Sequence, residues 1–414
     1  MRTLVSLFQR RPRVRPLSPR APREELLSVE LLEERARVLA ARFTVDPERN
    51  LGHGAFARFE ENARYLRIAY RALSDDAHHG GYVAPAAEWL LDNFHLAAGE
   101  MREVRQNLPR GYYRELPKLA SREFAGEARV YALAVELIQH SDSRLDYAQL
   151  VRFLESFQSV APLTLGELWA WPSMLKLALI ENLRRLSEEI MVSRAARKAG
   201  DDFVEALGAA DAAAPSPLWP GASRAEIVQI LQRMREYGPG LTVVRKEIDE
   251  RLSAEGSTIE EAVRAELQAA SALQISVANV ITSLRLVGDV DWSVYVESVS
   301  LVERVLLRDP AGVHGRMDFL SRDRYRGAVE QLAEASGEAQ LRVALRAVES
   351  ARQHAAMEGM SSRTAHVGYH LIGKGRRALE ADVAWRPGPL QTLRRSAFAH
   401  AAPLYLGVIG LGSG

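Results

Sequence analysis

Pro162–Leu163–Thr164–Leu165–Gly166–Glu167–Leu168–Trp169–Ala170–Trp171 opens the stretch that decides the fold. Thr164 followed three residues later by Glu167 has the form of a capping box, in which each side chain satisfies a backbone N–H of the other at a helix start. Apolar residues then recur at helical spacing through Trp169, Trp171, Leu175, Leu179 and Leu183, and the pattern continues to about Ala199. A helix this long needs partners along its length, and the sequence on both sides supplies them.

Upstream, residues 24–42 place Leu27, Leu31, Leu32, Ala36 and Leu39 at helical spacing, with Ser28 near the start. Residues 55–73 form a second helix and 74–81 a loop. Pro85 sits where a first-turn proline is tolerated and opens a third helix over 86–106. Residues 127–140 and 146–157 continue the pattern. Downstream, helices are expected over 224–237, 240–254, 258–287, 292–308, 318–335 and 338–357. The single strand candidate is 290–296, and Asp291 capping a helix explains it as well. No alternation of strand and helix indicates a parallel sheet. The expected class is therefore all-α, as two helical bundle-like subdomains followed by the start of a transmembrane helix.

The Ala-, Pro- and Gly-rich stretch 209–223 marks the expected boundary between subdomains 24–208 and 224–376. Residues 1–23 are rich in Arg and Pro and read as a basic, mobile tail. Their short apolar stretch precedes the arginines, the reverse of a secretory signal. Residues 377–396 form a basic juxtamembrane segment ending in Arg394 and Arg395. Residues 397–414 are apolar but shorter than the roughly 20 residues a membrane helix needs, so they read as a truncated first span. Basic residues on the upstream side put the preceding region on the cytoplasmic side.

Composition narrows the chemistry. Among 414 residues, 47% are hydrophobic and 26% charged, which is ordinary globular usage, and the net charge of +1 gives no overall excess for binding nucleic acid. No cysteine is present, which removes disulfides, thiol nucleophiles and cysteine metal sites. Lys118, Lys176, Lys198, Lys246 and Lys374 are the only lysines, so arginine carries the positive charge, as in a GC-rich coding sequence.

Candidate chemistry is sparse. His78 and His79 are adjacent in an expected Gly-rich loop. His366 and His370 share the spacing of a helical zinc pair, but no Glu follows the first, and packing beside Tyr369 is the simpler reading. Asp289–Val290–Asp291 has the form by which sugar-nucleotide transferases hold a metal, yet lacks the sheet such a site needs; a cap at Asp291 accounts for it. No G-x-S-x-G elbow, Walker loop or dinucleotide fingerprint occurs.

More specific are the clusters Ala87–Glu88–Trp89–Leu90–Leu91–Asp92–Asn93–Phe94, Leu108–Pro109–Arg110–Gly111–Tyr112–Tyr113–Arg114–Glu115–Leu116–Pro117, Met317–Asp318–Phe319–Leu320–Ser321–Arg322–Asp323–Arg324–Tyr325–Arg326 and Ala365–His366–Val367–Gly368–Tyr369–His370–Leu371–Ile372, together with 159–170. In this order and spacing, from about Leu26 to the C-terminus, they resemble the N-terminal cytoplasmic region of the cyclic β-1,2-glucan synthases. That family joins such a region to membrane helices, a processive transferase using UDP-glucose and a divalent metal, and a phosphorylase-like domain. The resemblance implies a non-catalytic scaffold segment at the bacterial inner membrane, stopping before the transferase domain and holding no cofactor. Its implied partners are the remaining domains of the synthase, the nascent glucan and the membrane, with no nucleic acid. Tyr112, Tyr113, Arg114, Arg324, Tyr325 and Tyr369 are the candidate glycan or domain contacts, and no residue is assigned as catalytic or metal-binding. The alternatives are a free-standing helical adaptor for a protein partner, and a small helical enzyme with a site near Tyr112, Arg114, Arg324 and Tyr325.

Overall fold

The long helix begins where the capping box puts it. Thr164 N–H donates to Glu167 Oε2 at 2.9 Å and Glu167 N–H to Thr164 Oγ1 at 3.1 Å. The helix then runs Leu165–Ala209, further than its apolar pattern suggests. The computed structural model describes residues 26–46, 54–120, 124–209, 221–237 and 242–385. The expected tail 1–23, residues 386–396 of the juxtamembrane segment, the apolar run 397–414 and most of the linker lie outside the described residues.

In chain order the helices are α1 (Val29–Arg42), α2 (Gly54–His78), α3 (Pro85–Asn107), α4 (Arg110–Glu115), α5 (Arg129–His140), α6 (Tyr147–Gln158), α7 (Leu165–Ala209), α8 (Arg224–Tyr237), α9 (Thr242–Ala254), α10 (Ile259–Asp289), α11 (Trp292–Val299), α12 (Leu301–Leu306), α13 (Phe319–Ser336), α14 (Gln340–Glu358), α15 (Val367–Leu371) and α16 (Arg376–Asp382). Two-residue strands β1 (Val45–Asp46) and β2 (Lys118–Leu119) pair antiparallel, Val45 opposite Leu119. The all-α class is thus observed.

The caps explain several boundaries. Ser28 accepts from Leu31 N–H, Pro85 opens α3, and Asp291 accepts from Ser293 and Val294 N–H at the start of α11. Residues 290–296 are therefore not a strand. The helix expected over 292–308 breaks at Ser300, whose side chain ends up capping α12. Of the loop expected over 74–81, the part up to His78 is the last turn of α2 and 79–81 are turn and irregular chain; the His78 and His79 rings reach the Ser74 and Asp75 carbonyls at 2.7 and 2.6 Å. The Asp75 carbonyl also accepts the His79 backbone N–H at 3.2 Å, so the ring adds a second bond at the helix end.

Contacts group the chain into two units. The first comprises residues up to Phe153 and Ala170–Val290; the second comprises Leu154–Trp169 and the chain from Asp291 onward. The division falls at these points rather than at 209–223, because α8, α9 and the start of α10 pack on the end of α7. Val204, Ile227, Ile230, Val244, Ile248, Leu252 and Ala262 share one buried cluster there. An Ala/Pro/Gly-rich stretch marks a connection, and packing decides which helices belong together.

In the first unit the deepest side chains include Trp171, Tyr113, Tyr131, Phe59, Leu66 and Leu90. Helix α10 lies along α3, and a Cβ at Gly288 would come within 2.8 Å of Glu100 Oε1, at the carboxylate end of that side chain. Helix α10 is also long and apolar enough to cross a membrane by length and composition. Its serines have local work instead. Ser276 donates to Asp142 Oδ1 at 2.8 Å, and Ser283 donates to the Ser143 carbonyl at 2.5 Å while accepting from Leu145 N–H. These bonds tie it to the tight turn at Asp142 and Ser143, both in left-handed backbone.

The second unit has its own core. Val302, Leu306, Val329, Leu332, Val343, Ala347, Val367 and Leu371 are all buried in one cluster drawn from α12 to α15.

Candidate functional site

The six candidate contacts fall three in each unit. In the first, Tyr113 is fully buried; Tyr112 is half-buried and Arg114 exposed. Pro109 leads the chain into α4, which turns Tyr113 inward. Its hydroxyl donates to Glu127 Oε2 at 2.9 Å, and the Lys118 ammonium lies 3.6 Å from its ring centre while donating to its carbonyl at 2.5 Å. Glu127 also receives Arg58 at 2.7 Å, and Tyr131 donates to Glu181 at 2.5 Å. Burial pushes the Tyr113 and Tyr131 phenols above their ordinary range, and the neighbouring Glu127 and Glu181 push the same way. Burial likewise raises Glu181, against the pull of Arg58. Neither phenol is poised to ionise, and the cluster holds α2, α5 and α7 together.

In the second unit Arg324 is exposed, Tyr325 buried and Tyr369 half-buried. Asp318 caps α13 through Ser321 N–H, which fixes the helix phase and sends Tyr325 and Arg326 into the interior. Around them lies the most composed cluster of chemically capable groups described in this chain. His366 Nδ1 lies 2.9 Å from Asp309 Oδ2, and His366 Nε2 lies 2.9 Å from the Tyr325 hydroxyl. A proton on Nδ1, facing the carboxylate, leaves Nε2 to accept from the phenol. Asp309 also accepts from the backbone N–H of Val313, His314 and Val367. Beside this row, Glu303 receives His314 Nε2 at 3.0 Å and Arg326 at 2.9 Å, and Arg326 reaches Glu297 at 2.8 Å.

Carboxylate, imidazole and hydroxyl in line is the geometry of a base-activated nucleophile. The electrostatics run the other way. Burial raises the Tyr325 phenol, and the Asp309 charge adds to that, so the phenolate is disfavoured. Burial also pushes Asp309 up, but the His366 hydrogen bond and the Val367 and His314 N–H groups outweigh it and hold the carboxyl at about 2. Glu303 is lowered in the same manner, by His314 and Arg326 against burial. A Cβ at Gly368 would meet the Tyr325 hydroxyl at 2.1 Å, so the phenol is packed against backbone. The arrangement orders the segment before α15.

His366 and His370 do not share a ligand. His370 Nε2 faces the Thr364 carbonyl at 2.9 Å, while the His366 ring is occupied by Asp309 and Tyr325. Asp291 is committed to its cap. Sequence reasoning singled out Tyr325 and His366 separately and missed Asp309, Glu303 and His314. The pairings that join them cross 41 and 57 residues, and no local spacing encodes them.

Fold and site together define a helical segment whose buried carboxylates are paired within each unit, while single atoms such as Arg58 Nε and His314 Nδ1 make no hydrogen bond among the described residues. No protein-family model matches the chain. It is similar to cyclic beta-(1,2)-glucan synthase NdvB of Rhizobium meliloti, with 36% identity over 364 residues. The match takes in 84% of this chain and 13% of that protein. The resemblance carried by the aromatic and arginine clusters is therefore shown: the chain is homologous to a segment of a cyclic β-1,2-glucan synthase and spans about an eighth of its relative's length.

Proposed function

We propose that the chain is a non-catalytic scaffold, the N-terminal cytoplasmic region of a synthase that polymerises glucose from UDP-glucose into cyclic β-1,2-glucan at the bacterial inner membrane. The similarity over 84% of the chain carries this reading. The paired carboxylates of both units support it, because Glu127 and Asp309 are already engaged by neighbouring groups of the chain and order a framework. Metal and sugar nucleotide belong to the transferase domain of the parent protein. Among the candidate contacts, Tyr112, Arg114, Arg324 and Tyr369 retain some exposure and are the ones offered to neighbouring domains or the nascent glucan.

The test is incorporation of labelled glucose from UDP-glucose into glucan. The chain alone incorporates none. The complete synthase incorporates label, and deleting the homologous segment from it abolishes incorporation. Turnover by the chain alone, or full activity after the deletion, overturns the reading.

A further inference from the structure

The chain as a whole is nearly neutral, at +1, yet one groove of the second unit is not. Helix α14 leaves Arg342, Leu345, Arg346, Glu349 and Arg352 exposed along one face, at helical spacing. Together with Arg308, just past α12, this face lines a groove of about 660 Å³ floored by Val305 and Val348. Four guanidiniums and one carboxylate, Glu349, line the groove itself. Arg342 is held by Glu338 at 2.9 Å and Arg346 by Asp382 at 3.1 Å. Arg308 and Arg352 have no side-chain partner among the described residues. Two guanidiniums without an ion-pair contact, sharing the groove with Glu349 over an apolar floor, suit a ligand with an anionic head and an apolar body.

We propose that this groove binds the phosphate headgroup of an anionic phospholipid, with Arg308 and Arg352 on the phosphate and Leu345 against the acyl boundary. The lining contains no aromatic ring to stack a base and no amide to read a sugar, which favours a lipid over a nucleotide. Position favours it too. Asp382, the partner of Arg346, lies on α16, the last described helix before the apolar run 397–411 in the sequence. The inference rests on the reading that places this segment at the inner membrane, and it assigns the membrane-facing side of the second unit.

The experiment is flotation of the full chain with vesicles of phosphatidylcholine alone or containing phosphatidylglycerol. It compares the wild type with Arg308→Gln/Arg352→Gln, both exposed positions at which folding is checked by circular dichroism. The wild type prefers the anionic vesicles. The double variant loses that preference roughly tenfold to thirtyfold while its binding to neutral vesicles is unchanged. An unaltered preference in the variant assigns the effect to the basic termini and overturns the proposal, as does the absence of any preference in the wild type. Complete displacement by millimolar inorganic phosphate makes this a free-anion site and also overturns it. None of these outcomes depends on UDP-glucose turnover, so failure here leaves the scaffold reading to its own test.

Discussion

Both units bury a cation against two carboxylates, Lys176 in the first and Arg326 in the second, and the second adds a carboxylate hub of a different kind. In the first, cations on one helix meet carboxylates on another. Lys176 on α7 is 3% exposed and lies 2.7 Å from both Glu100 and Glu103 on α3; Arg35 on α1 meets Glu136 on α5 at 2.7 Å. In the second, a carboxylate sits at the centre, and Asp309 collects three backbone N–H groups and an imidazole. The first arrangement clamps long helices whose shapes are already set by their own hydrogen bonds. The second gives shape to irregular chain around His314 and His366, which has no ladder of its own. A clamp depends on both charges being present, whereas a hub depends on one carboxylate and the space around it.

Removing a clamp's cation has the largest expected effect. Lys176→Met leaves Glu100 buried without its counter-ion and costs the first unit about 3–5 kcal/mol. Hydrogen exchange at the Leu179 and Val280 amides, followed through a urea series, reports that loss. Lys176→Met/Glu100→Gln recovers most of it, because the penalty comes from the unpaired charge. An equal loss in the double variant would show that Lys176 acts by packing its stem, and the contrast between clamp and hub would fail on that side.

Crowding the hub comes next. Gly368→Ala sets a methyl 2.1 Å from the Tyr325 hydroxyl, against backbone that cannot retreat without moving Val367 off Asp309. The second unit loses ~2–3 kcal/mol, read from exchange at the Val329 and Val343 amides. In a Tyr325→Leu background the same change costs less, the remaining close approach being His366 Nε2 at 2.7 Å. An undiminished cost there would place the strain elsewhere than at the phenol.

The same contrast explains what could be read in advance. Helices announce themselves locally, so Thr164 with Glu167, Pro85 and Asp291 marked true boundaries, and the all-α class followed from spacing alone. The Ser300 break was hidden because Trp292–Arg308 keeps a continuous apolar pattern across two short helices. The extension of α2 to His78 was hidden because its last turn is polar. Clamp and hub are both long-range pairings, and neither Lys176 with Glu100 nor Asp309 with His366 leaves a period in the sequence. Tyr113 and Tyr325 looked like surface contacts because aromatic residues beside arginine and proline occur equally in docking loops and in cores; only burial separates the two.

The smallest expected effect is the one that separates hub from clamp by pH. Asp309 titrates at about 2 in the folded protein against an ordinary 3.8, so the folded state favours its ionised form. Its contribution is therefore fully present above about pH 4 and is lost as the pH falls toward about 2. At roughly 1.4 kcal/mol for each unit, the shift amounts to ~2 kcal/mol. Asp309→Asn should cost about that much to the second unit near neutral pH, and the gap between variant and wild type should close on acidification through that window. The Lys176 clamp gives the control. Near neutral pH the Asp309 variant leaves exchange at Leu179 and Val280 unchanged, and the Lys176 variant leaves exchange at Val329 and Val343 unchanged. A gap at Val329 that stays constant down to pH 2 would mean that Asp309 is held by shape rather than by charge, and the hub would then be a matter of packing alone.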